Sequence, residues 1–141
     1  MYSAMKVARY IIAHESEQGR SVTNLRLQKL MYFVQAQFLV ERNKPCFDAE
    51  IEAWSFGPVV PETYHVFKFY GASEIPPRNI EEDLEWIYPS DRDSIDMILD
   101  DCAQYSTTTL IDITHRQKPW EDAISSQNRI ITNSAIRRYF E

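Results

Sequence analysis

The sequence predicts an all-α fold, or a mainly α one with at most one short extended or β element, compact and in a single domain. Three observations predict it. Apolar residues recur at helical spacing along most of the chain, cap-type residues and prolines stand where those runs begin, and residues 47–56 are the least helical stretch. At 141 residues, with 44% hydrophobic and 13% aromatic residues, the chain has the length of one domain and enough apolar side chains to close a core. A disordered tail would carry far fewer.

Ala4, Val7, Ala8, Ile11 and Ile12 form the stripe of an amphipathic helix that ends near Gly19. Thr23 or Asn24 caps the next helix, which runs to about Arg42 and places Leu27, Leu30, Met31, Val34 and Phe38 on one side. Leu25, Phe33 and Leu39 widen its apolar surface, which makes this helix central; Asn43, Lys44 and Pro45 stop it. Residues 47–56 alternate Ile51, Ala53 and Ser55 against Glu52, Trp54 and Phe56, the mark of a short extended segment.

Gly57 before Pro58 forces a sharp turn, because glycine tolerates unusual φ and the residue before proline avoids the α region. Pro61 suits the first turn of a new helix, Glu62 complements its dipole and Gly71 ends it. Residues 72–89, with Pro76, Pro77 and Pro89 among many acids, read as a long surface connection with a little extended structure around Trp86, Ile87 and Tyr88. Ser90 with Asp93 makes a capping-box-like start for a helix that buries Ile95, Ile98, Leu99 and Cys102. Ser106 or Thr107 begins a helix over 107–114, Pro119 opens a short one over 119–123, and the last, over 133–140, turns Ile136, Tyr139 and Phe140 to the body.

The net charge of -6 and the scattering of 15 Lys and Arg disfavour a nucleic-acid surface and suit a basic protein partner better. Arg137 and Arg138 on the last helix are what a DNA-binding regulator would have to use, without a row of bases and amides for the major groove. Cys46 and Cys102 have neither metal-type nor redox-type spacing and read as free thiols. No secretory leader and no membrane span are legible, so a cytoplasmic protein is expected.

The search for catalytic chemistry yields little. His14, His65 and His115 lack metal-ligand spacing, no serine lies in a nucleophile elbow, and three glycines cannot build a phosphate-cradling loop. No cofactor or metal and no enzymatic activity are expected; the alternative, a hydrolase around His115 and Asp112, rests on a spacing too common to carry it. The acids at 81–83 and Asp91, Asp93, Asp96, Asp100 and Asp101 read as a solvated surface.

One run stands apart: residues 52–71 hold six aromatics, two prolines and two of the three glycines. Ala53, Trp54, Gly57, Pro58, Val59, Val60 and Pro61, followed by Tyr64, Phe67, Lys68, Tyr70 and Gly71, resemble the signature of the Panacea domain, also called SocA-like, whose members include phage-associated proteins. The helix segment 27–35, Leu-Gln-Lys-Leu-Met-Tyr-Phe-Val-Gln, is similar to that family's Leu-Gln-Lys-Leu-Leu-Tyr-Phe-Ala-Gln, and Thr114, His115, Pro119 and Trp120 resemble its Thr-His-x-x-x-Pro-Trp element. The likeness runs over about residues 3–140, one Panacea domain across 1–141.

The resemblance implies an antitoxin that neutralises a protein toxin encoded beside it, by direct binding or, in some members, by delivery to an AAA+ protease, with the acids at 81–85 as a candidate tether. Trp54, Gly57, Pro58, Val59, Tyr64, Lys68, Tyr70, His115 and Trp120 are the motif residues and candidate partner contacts. Each has a structural alternative: Trp54 and Trp120 could fill the core, and His115 could tie a helix end to the next turn. Lys29, Tyr64, Lys68 and Tyr70 are expected to reach the surface, with Tyr64 and Lys68 one helical turn apart.

Overall fold

The computed structural model describes residues 1–141. Eight helices carry the chain: α1 (Ala4–Glu17), α2 (Asn24–Arg42), α3 (Pro61–Phe67), α4 (Ile80–Glu85), α5 (Pro89–Cys102), α6 (Thr107–His115), α7 (Lys118–Ile124) and α8 (Asn133–Phe140). Each begins in one of two ways. Ser3, Thr23, Asn79, Ser106 and Thr132 accept a backbone N–H from the first turn of α1, α2, α4, α6 and α8, while α3 and α5 start on Pro61 and Pro89 and α7 carries Pro119 as its second residue. The sequence reading had Ser90 capping α5; Tyr88 holds that position and Pro89 opens the helix.

The all-α expectation is corrected by two small sheets. In the first, β1 (Tyr2–Ser3) runs parallel to β2 (Phe47–Asp48). In the second, β3 (Ile51–Trp54) is central and antiparallel to both β4 (Gly57–Val59) and β5 (Ile130–Ile131). Three of these strands are two residues long, too short for any period to show, and their partners lie far off in sequence. The turn also shifts: Trp54 pairs with Gly57, so Ser55 and Phe56 make the bend while Gly57 and Pro58 are strand residues.

Residues 72–89 are corrected as well, since they contain α4, which packs on α1. Its ends are pinned by buried Ile75 and Ile87, and its first turn by the ion pair of Arg78 with Asp83 at 2.5 Å. A six-residue helix shows no full apolar period, although Glu81, Glu82 and Asp83 in its first turn are the acids its dipole favours. The candidate tether is therefore a packed helix.

The acids of α5 form a seam with α1. Asp91 takes hydrogen bonds from Tyr2 and Arg42; Asp96 accepts from the Tyr10 hydroxyl at 2.6 Å and lies 3.3 Å from His14; Asp100 accepts from Arg20 at 2.8 Å. Arg20 also grips buried Glu15 with two bonds of 2.7 and 3.0 Å. The neighbouring Arg20 guanidinium holds the Asp100 carboxyl below its ordinary range. Asp91, Asp96 and Asp100 thus tie α5 to neighbouring segments, and buried Asp83 pairs locally with Arg78, which corrects the solvated-surface reading for these four.

At the centre stands α2, packed against α1, α3, α5, α6, α8 and β4. Leu27, Leu30, Met31, Val34 and Phe38 are buried in a core of thirty side chains, more apolar surface than any one helix could cover alone. Cys46 and Cys102 are buried free thiols, and burial pushes them up to about 12 and about 11. Tyr139, expected against the body, is exposed, while Phe140 makes edge contacts with Tyr32 and Phe33.

Candidate protein-interaction site

The site begins inside, on the polar side chains of α2. Gln28 accepts the Val60 N–H at 2.9 Å and donates to Asn24, also at 2.9 Å. Lys29 donates to the Pro58 carbonyl at 2.6 Å, Tyr32 donates to Gln117 at 2.7 Å, and Gln35 accepts from the Cys46 and Phe47 amides at 2.8 and 3.2 Å. All four side chains are buried. Together they reach three segments, so one helix fixes the hairpin through Gln28 and Lys29, the start of α7 through Tyr32 and the strand β2 through Gln35.

Lys29 corrects its expectation most sharply, because its side chain is wholly enclosed, with no carboxylate in ion-pair reach. Desolvation pulls its amine down to about 7. The hairpin closes tightly on it. Gly57 has φ +105°, and a Cβ there would lie 2.8 Å from Lys29 Cε and 3.0 Å from Thr114 Oγ1. Only glycine fits that backbone and that space.

Outside this frame lies an aromatic face. The Trp54 ring meets Tyr64 edge-on with centroids 4.8 Å apart, Phe56 at 5.7 Å and His65 at 6.2 Å. Tyr64 adds a contact to His65 at 5.7 Å. The Trp54 indole donates to Glu52 at 2.9 Å, and its carbonyl accepts the Trp120 indole N–H at 2.8 Å. His115, at the end of α6, stacks on Trp120 with centroids 4.2 Å apart, and its Nε2 is enclosed without a hydrogen-bond partner. Further along the chain, Val66 is 50% and Phe69 89% exposed. Aromatic side chains are enriched at protein interfaces relative to the rest of a protein surface.

The motif residues thus divide. Trp54 and Tyr64 line the face, and Lys68 is exposed at its edge, in the short 3-10 turn that follows α3. Gly57, Pro58 and Val59 are buried and shape the hairpin from within, Tyr70 packs partly on the core, and His115 and Trp120 brace Trp54 from behind. Sequence reasoning passed over Phe56, His65 and Phe69, although the aromatic density of 52–71 was the signal that would have found them.

The composition of this face, a partly exposed tryptophan and tyrosine on a braced hairpin and helix, is the kind that protein-protein interfaces favour. The chain belongs to the antitoxin SocA-like, Panacea domain family, whose model matches residues 27–121. It is 32% identical over 128 residues to Antitoxin SocA of Caulobacter vibrioides (strain NA1000 / CB15N), covering 84% of this chain and 68% of that protein. No solved structure gives a significant match. No helix is long and apolar enough to cross a membrane.

Proposed function

We propose that this chain acts as one Panacea domain that neutralises a cognate protein toxin, encoded by an adjacent gene, by binding it directly without catalysing a reaction. The observation that carries this reading is the braced aromatic cluster of Trp54, Phe56 and Tyr64. Family membership and the relative named Antitoxin SocA support it. Rigid aromatics lose little side-chain entropy on binding, which is why such anchors dominate protein interfaces.

The test is growth of a bacterial host that expresses the neighbouring reading frame with and without this chain, followed by co-purification. Rescue with a stoichiometric complex is the expected result. Rescue with a short-lived partner, dependent on an AAA+ protease, would replace direct inhibition by an adaptor mechanism. A harmless neighbour would sink the reading.

A further inference from the structure

Of the buried acids and bases, His14, Glu15 and Asp83 each lie against a partner that can carry the opposite charge, and Lys29 does not. Its amine donates to the Pro58 carbonyl and has no other hydrogen-bond partner. The Phe56 ring, 5.7 Å away, adds only a weak attraction for a cation. An ammonium has three N–H donors, so protonation here leaves two of them, and the charge, without compensation. β4 and the bend before it hold no titratable side chain; α6 holds exposed Asp112, and His115 stacked on Trp120, neither of them paired with Lys29.

The walls around the amine are unequal. Thr114 of α6 is fixed by its own hydrogen bond to the Ile111 carbonyl at 2.8 Å. The hairpin side is closed by backbone, at Gly57, whose missing side chain leaves room for Lys29 Cε, and at Pro58. β4 is an edge strand of three residues, and besides β3 its side-chain ties are Lys29 at Pro58 and, just past the strand, Gln28 at Val60. The hairpin is therefore the wall that yields when the amine has to reach water. We infer that Lys29 is a pH-sensitive latch: protonating its amine lifts the hairpin off α2, draws Phe56 away from Trp54 and Tyr64, and so releases the partner. The last step rests on the neutralisation reading, and the movement of the hairpin does not. With desolvation holding the amine near about 7, the charged fraction rises from about a tenth at pH 8 to about nine tenths at pH 6. A partner that binds only the closed hairpin loses about tenfold in affinity over that span.

The test is an NMR titration of the full chain, labelled with ¹³C and ¹⁵N, from about pH 8 to about pH 6. The Lys29 Cε signal and the amides of Ser55, Phe56 and Gly57 are expected to move with one midpoint, and those amides to exchange with solvent faster below it than the intrinsic rate explains. Hairpin amides that stay still while Lys29 titrates, or move at another pH, overturn the inference, as does a Lys29 charged over the whole range. Lys29→Met, verified as folded by its dispersed spectrum, is expected to keep the hairpin closed throughout and to remove the tenfold change in affinity for the co-purified partner, measured by calorimetry. His65 and His115 are common to both proteins and drop out of the difference. Affinity that is flat in the unsubstituted protein, or changes equally in both, overturns the latch and leaves direct neutralisation standing. If the neighbour instead proves harmless, neutralisation falls while the titration still decides whether Lys29 opens the hairpin.

Discussion

The polar ladder of α2 and the aromatic face of the hairpin and α3 carry the same family resemblance and are built in opposite ways. On the ladder, Gln28, Lys29, Tyr32 and Gln35 are polar and buried; on α3 and the turn that follows it, Val66 and Phe69 are apolar and exposed. Each is an inversion of the ordinary partition of side chains, and each inversion costs free energy unless something compensates it. The ladder is compensated inside the molecule, by backbone groups of the hairpin and of β2. Exposed Val66 and Phe69 have no such internal compensation, which is why partner binding is proposed on the side of the hairpin and α3 and scaffolding on the ladder. A motif residue is thus not a binding residue merely because it is polar.

The largest expected effect breaks the comparison on the ladder side. Gln35→Ala leaves the amides of Cys46 and Phe47 without their side-chain acceptor, and the expected loss is about 3 kcal/mol or more of stability in a urea titration. The protein that remains folded should bind its partner normally. An unchanged urea midpoint would show that water replaces Gln35, and the ladder would lose its scaffolding role.

Lys29→Met tests the same side through pH. The folded amine sits near 7 against an ordinary 10.5, so between those values the unfolded chain binds a proton that the folded chain does not. The resulting penalty is absent above 10.5, grows as pH falls, and is complete below about 7. Relative to Lys29→Met, the unsubstituted protein should therefore gain roughly 2 kcal/mol between pH 7 and 9, at most about 1.4 kcal/mol per pH unit. Taking the difference cancels the buried tyrosines and thiols, which both proteins share. A flat difference would mean that Lys29 is hydrated and charged in the folded state.

Gly57→Ala sharpens the boundary between the two regions, because Gly57 joins them. The new methyl meets Lys29 Cε at 2.8 Å on a backbone with φ +105°, for an expected cost of about 2 kcal/mol. Binding should weaken too, as the turn that carries Phe56 is displaced. Phe69→Ala has the smallest effect on folding: the side chain is 89% exposed, so stability should move by no more than about 0.5 kcal/mol. Partner affinity should fall by more than about 1 kcal/mol, measured by calorimetry on the purified complex. Equal and negligible losses at Tyr64 and Phe69 would move the interface elsewhere.

The sequence by itself determined the long helices, because an apolar stripe with a cap at one end is a local signal: α1, α2, α6 and α8 begin or end within a few residues of where their patterns place them. It also marked 52–71 as unusual and, through resemblance, the family. Only the tertiary structure decided the rest. The two-residue strands exist because Tyr2 finds Phe47 and Ile51 finds Ile131 across long stretches of chain. The acids of α5 became joints because α1 brings Tyr10 and His14 to them and the turn after α1 brings Arg20, and Lys29 went inside because a carbonyl of the hairpin waits there. Periodicity reports which face of an element is apolar; whether a polar side chain meets water or a buried partner depends on what folds against it, and that information is spread over residues distant in the chain.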